Sequence, residues 1–251
     1  MKKLILLFIF ALIAVAGKAQ VGYNYKEFAI GLDVSYARGY TNVSRQDNHI
    51  SQNINFIYNY SPYIPITAEL QFGTLSGGGL TPNLDKFGRQ YTNHYEGLIL
   101  HGDLGLGEVI DYSDNDLLNI VKNFYFGTGV GIIFNNNTVQ RTNVYDGNNN
   151  LPNNGPSSYV FPGSNNSINL TIPLRFGYEF KFYNEFQEPF MAVDIGYVHS
   201  MVFGEGLDGY DDPSSKFKNN ASNQYRQIIV GVKFNFGNIT SYNKVIRGNY
   251  N

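Results

Sequence analysis

The stretch Ile168-Asn169-Leu170-Thr171-Ile172-Pro173-Leu174-Arg175-Phe176-Gly177-Tyr178-Glu179-Phe180-Lys181 carries an apolar or aromatic residue at every even position, with Arg175, Glu179 and Lys181 opposite. A period of two is the signature of a strand with two unlike faces. Phe28, Ile30, Leu32, Val34 and Tyr36 repeat the pattern with Asp33 opposite. Ile228, Val230, Val232, Phe234 and Phe236 do so again with Lys233 opposite. The polar faces hold many glycines and sparse charges of both signs. This predicts an all-β chain, an antiparallel transmembrane barrel with lipid outside and a polar interior.

The ends support that reading. Lys2 and Lys3, the apolar run Leu4 to Ala16, and Gly17 and Ala19 before Gln20 have the form of a secretory signal peptide over residues 1–19. Residues 20–237 are expected to form the barrel and 238–251 a polar periplasmic tail. The chain has no cysteine, so neither a lipid-anchoring cysteine nor a disulfide framework is expected. After residue 20 no apolar run approaches the ~20 residues that a membrane helix needs. Only helices and closed barrels satisfy every backbone group in lipid, so an integral protein of this sequence is a barrel. A net charge of −2 gives no electrostatic reason to expect nucleic acid as a partner.

About eight strands are expected, at roughly 28–38, 50–60, 64–75, 92–106, 123–134, 167–181, 189–201 and 224–236, most of them ~9–11 residues long. Ser61 to Tyr63 and Tyr183 to Glu188 read as tight turns. The segments 39–49, 76–91, 135–166 and 202–223 are long and rich in Asn, Gly and Asp. Short periplasmic turns and long extracellular loops put both termini in the periplasm. Residues 107–122 break the rule, being long where a short turn is due. Asp114 or Asn115 could cap a short helix through Leu117, Leu118, Ile120 and Val121, read as a surface helix in preference to a lid.

The inward positions are Asp33, Glu69, Gln71, His101, Asp103, Arg175, Glu179, Lys181, Asp194 and Lys233. A barrel of eight strands is just wide enough for side chains to fill it. An unpaired buried charge costs several kcal/mol, so these groups are expected to form a lumen network that plugs the barrel. Aromatics gather where the interfaces should fall: Tyr58, Tyr60, Tyr63, Phe124, Phe180, Phe182, Phe234 and Phe236 at one end, and Tyr36, Tyr40, Tyr91, Phe134, Tyr197 and Phe203 at the other. Gly127, Gly129 and Gly131 fit close packing on the inward face of a strand.

The last strand contains Gly231-Val232-Lys233-Phe234-Asn235-Phe236. This resembles the Gly-x-x-aromatic-x-aromatic signal read by the barrel assembly machinery, with Ile229 where a polar residue is usual. With the signal peptide and strand pattern, the mature chain resembles the small eight-stranded barrels of the OmpA-transmembrane-domain and OmpX type. It also looks like the PorT-like barrels of bacteria with a type IX secretion system. The resemblance implies an outer-membrane location, outer-membrane lipids and lipopolysaccharide as surroundings, and the assembly machinery as a partner during biogenesis, with Gly231, Phe234 and Phe236 as the assembly signal.

Catalytic chemistry is weakly signalled. Adjacent strand residues point to opposite faces, so His199 and Ser200 cannot form a nucleophile–base pair without a bulge. Glu205, Asp208, Asp211 and Asp212, followed by Lys216 and Lys218, read as a solvated, self-neutralising cluster and not as a calcium loop. No phosphate-binding loop or metal-ligand spacing occurs, and no cofactor or metal is expected. The expected role is non-enzymatic: a structural or accessory subunit of a larger secretion or uptake complex in the envelope. A small-solute channel and, less favoured, a lipid-modifying enzyme are the alternatives.

Overall fold

The computed structural model describes residues 24–81, 83–112, 115–142, 160–211 and 222–242. The signal peptide, Asp114, Asp212, Lys216, Lys218 and the end of the tail lie outside the described residues. Strands β1 (Asn24–Tyr40), β2 (Asn48–Ser61), β3 (Ile64–Gly78), β4 (Gln90–Gly105), β5 (Phe124–Val139), β6 (Asn166–Tyr183), β7 (Pro189–Phe203) and β8 (Gln224–Ser241) pair in chain order. Every pairing is antiparallel, and β1 pairs with β8 to close the barrel. Two short helices, α1 (Leu106–Val109) and α2 (Asp116–Val121), lie between β4 and β5.

The period of two sets the wall. Leu32, Val34 and Tyr36 are each more than half exposed, while Asp33, Ser35 and Ala37 between them are buried. The same alternation recurs on β2 at Ile54 and Phe56 and on β8 at Ile228 and Val230. An apolar surface encircling the molecule has no place in water. It is the lipid-facing belt of a membrane-spanning barrel, and every backbone ladder is closed.

The strands are longer than expected, 14 residues in β2 and 18 in β6 and β8. Ladder bonding does not stop at the edge of the apolar belt: Asn135 and Asn137 of β5 stay in register with Tyr95 and Asn93 of β4, and inward amides also bond to one another. Asn93 donates to Asn135 at 2.7 Å, and Asn135 to Asn169 at 2.9 Å. β8 continues past Phe236 to Ser241, so residues 238–241 belong to the wall. Gly237, at φ +92°, makes the bend opposite an irregularity between Lys26 and Phe28. Two residues assigned to the aromatic girdles instead turn inward: Tyr63 and Tyr91 are buried. Nor do all charges face the lumen. Glu96, Arg38 and Arg226 alternate with buried neighbours and stand on the outer wall.

The loops at the outer end fold over the mouth. Val43, Phe161, Leu207 and Tyr210 pack against Leu75, Tyr91 and Tyr225 of the strands in one apolar cluster. Tyr210 Oη donates to the carbonyls of Gln90 and Gln140 at 3.0 and 2.8 Å. Arg141 donates to the carbonyl of Gly209 at 2.7 Å. Asp208 is buried and accepts the Tyr210 backbone N–H at 3.0 Å, so the acidic cluster read as solvated contributes a structural cap.

Asp85 ties the β1–β2 and β3–β4 loops together. It accepts from the Ser44 N–H at 3.1 Å and pairs with Arg89 at 3.2 Å. Burial raises its pKa, but the Arg89 guanidinium and backbone donors outweigh this and hold the carboxyl below its usual value. A depressed folded-state pKa contributes stability that is present above the unfolded value, near 3.9, and lost as pH falls through the folded one. Hydrogen exchange at residues 79–89, corrected for intrinsic pH dependence, is therefore expected to stay protected down to about pH 4 and to lose protection below it. Asp85→Asn should be unprotected throughout. Protection indifferent to both would show that this carboxylate does not hold the cap.

Candidate functional site

Among the described residues, chemically active side chains converge in the lumen. At its centre, Arg175 on β6 pairs with Glu69 on β3 at 3.1 Å and with Asp103 on β4 at 3.3 Å. His101 lies between the same carboxylates, 3.5 Å from Glu69 and 3.4 Å from Asp103. Gly127 makes this reach possible. It is the register partner of both Asp103 and Arg175, and a Cβ there would lie 1.8 Å from the Asp103 carboxylate.

A second group lies nearer the periplasmic end. Lys181 is 3.5 Å from Glu179, which also receives Lys233, and Lys181 donates to the Pro62 carbonyl at 2.5 Å. Asp33 and Asp194 make no ion pair among the described residues. Asp33 instead accepts from Asn55 at 2.5 Å, and Asp194 from Tyr125 at 3.1 Å. Amide and phenol donors thus satisfy two of the carboxylates, and the lumen network combines ion pairs with neutral hydrogen bonds. Toward the outer end the network continues without charge. Tyr225 donates to Gln71 at 2.8 Å, and Gln227 donates to Ser35 at 3.2 Å. The space left at the centre is a cavity of ≈ 40 Å³ bordered by Asp33, His101, Arg175 and Asp194, room for very little solvent.

The periplasmic end is closed by the 107–122 segment, which is more than a surface helix. Asn115 caps α2, accepting from the N–H groups of Leu117 and Leu118 at 2.9 and 3.1 Å. Tyr112 and Leu118 from this segment pack with Tyr25, Tyr63 and Tyr242. Glu108 is buried and accepts from Ser61 at 2.7 Å and Tyr242 at 3.2 Å. Lys122 Nζ lies 4.5 Å from the Tyr112 ring centroid, and burial together with the Lys181 charge pushes its pKa down to about 8. The helix is therefore part of a lid. The sequence held the clue in Tyr63 and Tyr112, but not the long-range contacts that bring them together. Glu108→Ala removes the acceptor that the Ser61 and Tyr242 hydroxyls share. It is expected to lower protection of residues 106–122 by about 1–3 kcal/mol while the barrel's unfolding midpoint hardly moves. Unchanged exchange would refute the lid.

The residues of the Gly-x-x-aromatic-x-aromatic stretch sit on different faces. Phe234 and Phe236 face lipid, and Phe236 stacks on Phe28 with centroids 6.1 Å apart. Gly231 lies inside, in register with Asp33, whose carboxylate occupies the place of a Cβ. His199 and Ser200 also part: Ser200 is buried, while His199 stands on the wall, bonded to Gln224 at 2.8 Å. No group of three or more potential metal ligands occurs among the described residues.

No protein-family model matches the chain, and no curated protein matches it. Among solved structures it is similar to Neisserial surface protein A, at 13% identity and a TM-score of 0.41 over 84% of this chain and 97% of that one. It is also similar to Ail, the attachment invasion locus protein of Yersinia pestis, at 10% identity and a TM-score of 0.43 over 84% and 99%. The translocator domain of the autotransporter NalP from Neisseria meningitidis follows at 7% identity and a TM-score of 0.40 over 92% and 95%. At these scores the likeness carries no argument about function. The fold assignment rests on the closed pairing of the eight strands, and the outer-membrane location on that closure and on the apolar belt around it.

Proposed function

We propose that this outer-membrane barrel is a structural or accessory subunit of a larger envelope complex for secretion or uptake, and that it works as a rigid plug-filled post and not as a conduit. The observation that carries the reading is closure at three levels: the outer cap, the charged network and the tyrosine-lined lid. A passive channel needs a continuous polar path, and the cavity at the centre of the network is only ≈ 40 Å³. Loops presented on a rigid scaffold are where binding surfaces are usually built. The accessory role extends the resemblance to PorT-like barrels. In the same reading, Gly231, Phe234 and Phe236 serve the assembly machinery.

The test is a mild-detergent pull-down from the outer membrane through a tag inserted between residues 143 and 159. Stoichiometric recovery of a larger membrane protein is the expected result. A lone barrel that conducts in planar bilayers would overturn the proposal in favour of the channel.

A further inference from the structure

On the outer wall, three bases stand in one row across neighbouring strands. Arg38 on β1 is the register partner of Arg226 on β8, and Arg226 is the partner of His199 on β7. Tyr40 lies beside them, with the guanidinium carbons of Arg38 and Arg226 5.7 and 5.5 Å from its ring centroid and the His199 ring 6.3 Å away. Like charges directly opposite one another on a ladder repel. Among the described residues neither arginine forms an ion pair, and Arg38 Nε is buried without a hydrogen-bond partner. The flanking outward positions include Tyr36, Asn48, Ile228, Leu174 and Gln224, none of them an acid.

The row's height on the wall identifies what it meets. From Phe28 to Arg38 the strand runs ~34 Å at about 3.4 Å per residue, or roughly 26 Å along the membrane normal for a tilt near 40°. That is the height of a barrel's apolar belt, whose other edge is the Phe28–Phe236 pair. The arginines therefore sit at headgroup depth in the leaflet on the long-loop side, with an unbroken apolar wall below them. A ligand neutralising them there carries an anion at one end and hydrocarbon at the other. Guanidinium forks match phosphate oxygens two by two, and an aromatic ring beside them suits a sugar face.

We propose that Arg38, Arg226, His199 and Tyr40 form a binding site for a phosphorylated glycolipid of the outer leaflet, with phosphate between the two guanidiniums and acyl chains along Ile228 and Val230. The proposal rests on the membrane-spanning reading and is independent of any protein partner.

The full-length protein, purified in mild detergent, is titrated with diphosphorylated lipid A and examined by native mass spectrometry. One equivalent is expected to remain bound to the wild type. Arg38→Gln/Arg226→Gln should weaken retention by about tenfold or more, the scale of one charge-assisted hydrogen bond. Arg38→Lys/Arg226→Lys, which keeps the charge but loses the forks, should fall between. Arg45→Gln, on an arginine paired with Asp47 outside the row, should bind as wild type. Heat-modifiable migration in each variant confirms an intact barrel. Equal retention by the double glutamine variant, or equal binding of dephosphorylated lipid A, would overturn the site. Displacement by millimolar inorganic phosphate alone would make it a free-anion site, and equal retention of phosphatidylglycerol a generic anionic-lipid one; either result also refutes the glycolipid assignment.

Discussion

Arg175→Met is expected to destabilise the barrel by about 3–5 kcal/mol, the usual cost of removing one member of a buried ion cluster. Arg175 is the cation that Glu69 and Asp103 share, and all three are buried. Methionine fills much of the volume but leaves two carboxylates facing each other with only His101 between them. In unfolding titrations from detergent or lipid, the midpoint should drop sharply, and part of the protein should run in the unfolded position on unheated gels. The triple variant Arg175→Met/Glu69→Gln/Asp103→Asn separates lost charge balance from lost packing. With the stranded charges gone, it should recover most of the stability, since a neutral hydrogen-bonded core is often no worse than a buried ion cluster. A single variant as stable as wild type would show that the network is wet enough to be dispensable.

Gly129→Val should be comparably severe, about 3 kcal/mol or more, for a different reason. A Cβ at Gly129 would lie 2.2 Å from the carbonyl oxygen of Leu100 and 2.7 Å from the Cα of His101. Those atoms are backbone of the paired strand β4, so no side-chain rotation relieves the clash. The β4–β5 seam would have to open at the level where His101 enters the ion cluster. A Cβ at Gly127 or Gly131 would also lie too close to the carbonyls of Gly102 and Leu98, at 2.7 and 2.6 Å. The whole stripe is a tightly curved seam. By contrast, Gly102→Ala on the lipid side meets nothing nearer than 3.9 Å and is expected to fold normally. Folding yield into lipid vesicles, read as the heat-modifiable fraction, distinguishes the two. Normal insertion of Gly129→Val would mean that the seam is looser than its geometry indicates.

The wall could be read in the sequence because a strand's period of two maps residue number onto face without any other information. Phe28 to Tyr36, Ile168 to Phe180 and Ile228 to Phe236 needed only that rule, and Arg175, Glu179 and Lys181 followed as inward residues. The rule weakens where burial stops depending on membrane depth. Arg38 and Arg226 obey the alternation but lie at the rim, where a lipid-facing charge is tolerated. Tyr63 and Tyr91 lie at strand ends and turn inward to cover the mouths. The end of β5 is not legible in the sequence, because Asn135 and Asn137 continue its ladder past Phe134 yet look like loop residues.

The sequence by itself determined an eight-stranded barrel with a polar interior, its topology and its membrane setting, since each depends on local periodicity and on loop length. Tertiary structure decided what occupies the interior and its ends. Arg175 meets Glu69 across a separation of 106 residues, Tyr63 meets Tyr112 across 49, and Tyr210 reaches Gln90 across 120. Such contacts follow from the register and curvature of the closed sheet, which are set by all eight strands together and leave no periodic trace in any one of them.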